Sequence, residues 1–397
     1  MPGRVHKCGM LLGVLALASI SGTTQALASS ESVFYAFERD VDGAGDGAVP
    51  SAGLIADKDG NLYGTTLGGG SAGEGTVFKL TPEGTETILH SFAGGDDGYI
   101  PEGGLIMNTA GNLYGTTTLG GIAHNKGTVF RIAPDGTETV LYRFTGGSDG
   151  GNPMGTLIVD GAGDLYGTAH GGGVKKKGVV FKLTPEGVET VLHSFGSGRD
   201  GATPQAGLIA DGQGNLFGTT LAGGNADAGV VFKLASDGTE TVLHSFGAEG
   251  DGLGPAGELL ADSQGNLYGT TQFGGVGGRH CPGGIGCGTI FKIAPDGSYS
   301  VLYNFVGGKD GREPSSRLIS DKRGNLYGTT LFGGAKNQGT AFVLAPDGAE
   351  TILYSFTGKT DGRYASGPLL ADAKFKHLYG ETSDGGHKQG VVYVIEP

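Results

Sequence analysis

The stretch Asn61-Leu-Tyr-Gly-Thr-Thr66 recurs at Asn112–Thr117, Asn266–Thr271 and Asn325–Thr330, with variants beginning at Asp164, Asn215 and His377. Successive copies start 51, 52, 51, 51, 59 and 52 residues apart. A fixed period near fifty marks a tandem array of one supersecondary unit. In the first copy the unit holds four short segments rich in β-branched and aromatic residues: Gly53–Ala56, Asn61–Thr66, Gly75–Leu80 and Glu86–Phe92. That composition predicts strands. The connections are equally regular. Asp57–Gly60 and Pro82-Glu-Gly84 read as tight hairpins, a Gly-Gly loop joins the second strand to the third, and an Asp-Gly-x-x-Pro turn leads to the next unit. Four antiparallel strands per unit make one propeller blade.

The count of units supports closure. A copy of the fourth strand, Ser32–Phe37, precedes the first complete unit, and the last unit stops after its third strand, Gly390–Ile395. The expected fold is therefore an all-β, seven-bladed β-propeller of four-stranded antiparallel blades, with the N-terminal strand completing the C-terminal blade. Closure leaves no split blade with an unpaired sheet edge open to other molecules. Glycine, 83 of 397 residues, is about three times its usual share, and recurs in register with the turns.

The unit Asn-Leu-Tyr-Gly-Thr-Thr, Gly-Gly, Gly-Thr-Val-Phe-Lys-Leu, Pro-Asp-Gly, Thr-Val-Leu-His-Ser-Phe resembles the GloVer (Gloeo/Verruco) tandem repeat of exported bacterial proteins. The resemblance implies export and supplies no catalytic residues. Members often carry C-terminal surface anchors, of which this chain shows none. The last copy departs from the pattern, with Ala365 for the usual Pro and Phe375-Lys-His377 for Gly-Asn.

Residues 1–28 read as a secretory signal, cleaved after about Ala28, and residues 29–397 as a single propeller domain. Arg4, His6 and Lys7 form a basic head, Met10–Ile20 an uncharged apolar run, and Ala26-Leu-Ala28 a small-x-small cleavage site. Eleven apolar residues fall short of the ~20 that span a bilayer. Without this segment Lys and Arg fall from 27 to 25 against 40 Asp and Glu, a formal charge near −15. Such a surface repels nucleic acid and anionic lipid. The expectations are a periplasmic or extracellular monomer with no nucleic-acid partner and no membrane insertion. Cys281 and Cys287 flank Pro282–Gly286 inside the one long interval. A local disulfide is the natural pairing in an oxidising compartment; a metal site would lack a second ligand pair.

Antiparallel parity puts the Asp57–Gly60 and Pro82–Gly84 type hairpins on one face, and the Gly-Gly loops and links on the other. The second face carries the length variation, so a ligand site is expected there, near the channel mouth. Residues that repeat are framework: His90, His193 and His244 share one strand-four position, and the Asp-Gly aspartates are turn caps. Residues that do not repeat are the candidates: His124, His170, His280 and His387 in or beside Gly-Gly loops, and Tyr99, Arg312, Arg363 and Tyr364 in the links. Glu258 and Arg317 replace Gly at one inner-strand position of neighbouring blades, as an ion pair lining the channel. Asp40–Asp46 is acidic but lacks the twelve-residue calcium loop with its terminal Glu. No metal or cofactor is expected, for no nucleophile elbow, P-loop or His-Glu-x-x-His is present.

Three functions fit. The first is a binding module for a glycan, small ligand or protein, with Tyr and Arg stacking and hydrogen bonding. The second is a polysaccharide lyase in which Arg312 or Arg363 neutralises a carboxylate and His280, His387 or Tyr364 is the base. The third is a surface or matrix structural protein.

Overall fold

The computed structural model describes residues 29–38, 45–121, 124–196, 198–278 and 280–397. The proposed signal, and residues 39–44 of the acidic loop, lie outside them. The described chain is a seven-bladed β-propeller of four-stranded antiparallel blades. In blade one, Ile55–Ala56 lies innermost, followed outward by Leu62–Gly69, Thr76–Leu80 and Glu86–Ser91. Blades are numbered by their Asn-Leu-Tyr motif. Blade seven closes the ring as expected: Ser30–Ala36 pairs antiparallel with Val391–Glu396 as its outer strand, from Ser30 opposite Glu396 to Ala36 opposite Val391.

The inner strand is shorter than the sequence reading, which began it at Gly53. Only Ile55–Ala56 pairs with Leu62 and Tyr63. The link supplies the rest: Gly47–Pro50 pairs with the far end of the same second strand, Gly47 opposite Gly69. Between the two segments the backbone turns toward the channel, and Gly53 takes φ 86°. The links of blades three, four, five and seven pair in the same way, and those of blades two and six make single bridges, Tyr99 to Leu119 and Arg312 to Phe332.

Each blade packs on the next through one aromatic pair. Phe37 meets Phe78 at 5.2 Å, and the series continues with Phe92–Phe130, Phe144–Phe181, Phe195–Phe232, Phe246–Phe291 and Phe305–Phe342, ending at Phe356–Tyr393 at 4.9 Å. All are edge-to-face, the arrangement the ring quadrupole favours. The glycine of Asn-Leu-Tyr-Gly exists for this packing: a Cβ on Gly64 would stand 2.6 Å from the tip of Phe78.

Hydrogen bonds repeat the lock. One residue per link, just before the Pro position, is left-handed: Val49, Ile100, Asn152, Thr203, Gly254, Glu313 and Tyr364. Each donates its N–H to a carbonyl of the preceding blade's Gly-Gly loop, from Val49 to Gln389 (2.7 Å) through Tyr364 to Gln338 (2.9 Å). A left-handed β-branched residue is strained, and the inter-blade bond holds it there. The links are thus held at both ends, and their side chains are placed by the scaffold.

Candidate functional site

One inner-strand position from each blade lines the channel: Gly53, Gly104, Thr156, Gly207, Glu258, Arg317 and Pro368. Glu258 and Arg317 form the expected ion pair, Nη1 to Oε2 at 3.3 Å. They stand between an inner cavity of about 530 Å3, walled largely by Leu, Ile and Val, and the mouth on the link face. That mouth encloses only about 110 Å3, ringed by Ser51, Glu102, Gln205, Ser315 and Ser366 among others. It is smaller than the inner cavity and opens directly to solvent. Burial pushes the Glu102 carboxyl up, against a hydrogen bond from Thr118 Oγ1 at 3.0 Å. Of the sequence-predicted site residues only Glu258 and Arg317 line this mouth; His280, Arg312, Arg363 and Tyr364 do not.

The histidines do not converge. His124 is exposed, His170 is half-buried with Nδ1 unpartnered, and His387 lies 3.5 Å from Glu38 at the closing seam. Burial holds His170 below the usual imidazole range. Blades two, three, five and seven point these loops to different sectors of the ring. Tyr99, in blade two, is half-buried and joined through its backbone to Leu119. His280 alone lines a large cavity, about 600 Å3, open on the link face and shared with Arg312, Lys336 and Asn337. One wall is the inserted loop, braced by the Cys281–Cys287 disulfide, with Cα atoms 4.9 Å apart. Gly308 packs against it: a Cβ there would meet the His280 ring at 3.2 Å.

Arg312, Arg363 and Tyr364 are brought together, through a residue the sequence reading missed. The Arg312 guanidinium lies over the Phe332 ring at 4.3 Å, Phe332 meets Tyr364 edge-on at 5.3 Å, and Arg363 lies 5.1 Å over Tyr364. Arg312 pairs with Glu313, and Arg363 Nη2 with Asp384 at 2.5 Å. Burial raises the Glu313 carboxyl, and Arg312 draws it back. Phe332 follows the Asn-Leu-Tyr-Gly-Thr-Thr motif by two residues, where other blades carry Gly68, Leu119, Gly171, Ala222, Phe273 and Asp384. Variation at that position was the available signal. The run Arg312–Phe332–Tyr364–Arg363 forms a ridge across blades six and seven beside the His280 cavity. Planar rings and cations side by side can stack on a sugar face and hydrogen-bond its substituents.

The repeated histidines are framework, as expected. His90, His193 and His244 reach Asp97, Asp200 and Asp251 at 3.1, 3.3 and 2.9 Å. Tyr35, Tyr142, Tyr303 and Tyr354 do the same in the other blades. In six of the seven clusters a Glu from the next outer strand joins, and burial beside the Asp raises it. Glu31, Glu189 and Glu350 are pushed up to about 7.

No group of three or more His, Cys, Asp or Glu able to hold a metal occurs among the described residues, and no helix there is long and apolar enough to cross a membrane. Among solved structures, the fold is similar to that of a streptogramin B lyase, at 12% identity and a TM-score of 0.59, covering 92% of this chain and 97% of that one. It is also similar to the extracellular domain of a protein assigned as a one-component system from B. thetaiotaomicron, at 11% identity and a TM-score of 0.56, covering 90% of this chain and 39% of that one. At such identity the likeness shows the fold alone. No curated protein matches the sequence. The model of the Gloeobacter/Verrucomicrobia repeat matches residues 5–213 and 197–394, and the chain belongs to that repeat family.

Proposed function

We propose that the protein is an exported binding module that holds a glycan on the rim of blades five to seven. The observation that carries this reading is the ridge of Arg312, Phe332, Tyr364 and Arg363 beside the cavity of His280, Lys336 and Asn337. The supporting geometry is a set of part-exposed aromatics and cations beside an open cavity. Export is supported by the basic head, apolar run and cleavage site of residues 1–28 and by the disulfide. The test is retention of the mature protein on a panel of neutral and acidic polysaccharides. Phe332→Ala should abolish retention and lower the thermal midpoint by no more than a few degrees, since a part-buried ring that meets Tyr364 of the next blade is removed. Retention unchanged in that variant places the ligand elsewhere, and no retention on any polysaccharide favours the structural role.

One observation favours a second reading. His280 and Arg312 line one cavity, the base and carboxylate partner that a lyase needs. Ultraviolet absorbance from new unsaturated sugar ends, lost in His280→Ala, would establish it.

A further inference from the structure

The rim carries a charge unlike that of the chain as a whole, whose formal net charge is −13. Across the links and Gly-Gly loops of blades six and seven, the described residues are Lys309, Arg312, Lys336, Lys359, Arg363 and Lys388 against Asp310, Glu313, Asp361 and Asp384. All four acids are already engaged. Asp310 and Asp361 cap their own turns and accept from Tyr303 (3.1 Å) and Tyr354 (3.0 Å). Glu313 and Asp384 are the partners of Arg312 and Arg363. The four lysines are exposed and make no ion pair among the described residues. Backbone bonds stitch their loops into one surface: Glu313 N–H to Cys287 (2.8 Å), Tyr364 N–H to Gln338 (2.9 Å) and Gly386 N–H to Lys359 (2.9 Å). The opposite face presents exposed Glu83, Asp135, Glu186, Asp237, Asp296 and Asp347 at its hairpin tips. An anionic polymer is repelled there and attracted to the rim.

Resting on the glycan-binding reading above, we propose that the ligand is an acidic polysaccharide, its anionic groups met by Arg312 and Lys336 at the cavity and by Lys359 and Lys388 along the ridge. Arg312 and Arg363 are already stacked and paired, so they arrive ordered, and the free lysines supply the uncompensated charge.

The test uses matched polymers on the mature protein: polygalacturonate against its methyl ester, and dextran sulfate against dextran. The first pair reports carboxylate, the second sulfate. The variant is Lys336→Gln/Lys359→Gln/Lys388→Gln, all exposed. The control, Lys58→Gln/Lys322→Gln/Lys374→Gln, removes equal charge from the hairpin face. Retention of the charged member of either pair, weakened on the order of ten-fold in the rim variant, spared in the control and reduced by salt, is the expected result. Equal retention of charged and neutral members, lost in Phe332→Ala, overturns the charge proposal and keeps the binding module. Equal loss in rim variant and control overturns it as nonspecific attraction. No retention of any polymer overturns both readings.

Discussion

Glu381 stands where six other blades carry Thr65, Thr116, Thr168, Thr219, Thr270 and Thr329. The threonines of blades three to six donate a hydroxyl to a carbonyl of the next blade, as Thr168 does to Ala206 at 2.8 Å. At the closing seam Glu381 instead accepts the Gly53 N–H at 2.8 Å, across 328 residues of sequence. It is fully buried, its other oxygen has no partner, and desolvation pushes its carboxyl from 4.5 up to about 8, against the Gly53 bond. The sign follows from linkage. The folded chain holds a proton that the unfolded chain releases near pH 4.5, so this stability is fully present below that pH and is lost as pH rises through about 8. At 1.36 kcal/mol per pKa step the ceiling is about 5 kcal/mol. Unfolding entropy near 2 cal/mol/K per residue makes that roughly 6 °C for the propeller. Glu381→Gln keeps an acceptor for Gly53 and cannot ionise. Thermal melts of both proteins should coincide near pH 4 and diverge to about pH 9, where the Gln variant melts several degrees higher. The other raised carboxyls titrate in both proteins and cancel in the comparison. Parallel pH profiles for the two would refute the assignment of a protonated Glu381 to the seam.

Three further outcomes are expected. Tyr393 replaces the phenylalanine of the other six blades and is fully buried with its hydroxyl unpartnered, so Tyr393→Phe should raise stability by about 1 kcal/mol in denaturant titration. Ile100→Gly relieves a left-handed β-branched residue at a position where blade five already has Gly254, and should gain about 1 kcal/mol, or at worst break even against glycine's unfolded-state entropy, by the same measurement. Reducing Cys281–Cys287 opens a loop with a sequence separation of only 6, so it should cost roughly 2 kcal/mol or less while weakening glycan retention more than Tm, through the His280 wall.

The framework was legible in the sequence because it repeats. The glycine of each Asn-Leu-Tyr-Gly motif, the histidines beside three of the Asp-Gly turns and the orphan strand at Ser32–Phe37 recur or complete a count, and local chemistry explains each. Blade number and closure followed from arithmetic on the motif. The ion pair of Glu258 and Arg317 was legible too, because neighbouring blades put equivalent inner positions side by side. Three features were not. The left-handed residues before the link Pro carry no glycine signature except at Gly254 and Asn152, since the inter-blade bond, and not local propensity, holds them. Glu381 lies in a variant copy of the motif and nothing local singles it out, because only the seam turns Gly53 N–H toward it. Phe332 sits at a variable position outside the repeated motif, and its partners come from the links of blades six and seven.

What the sequence determined by itself was the repeat, and hence the ring, because each blade's hydrophobic and turn pattern is satisfied within about fifty residues and by an identical neighbour. Only the tertiary structure brought the candidate residues together. Arg312, Phe332 and Tyr364 belong to two blades and meet because links and loops interlock across the interface between them. The four scattered histidines have no such interface in common. Channel width is likewise set by how seven inner strands crowd together, with the Glu258–Arg317 pair lining it.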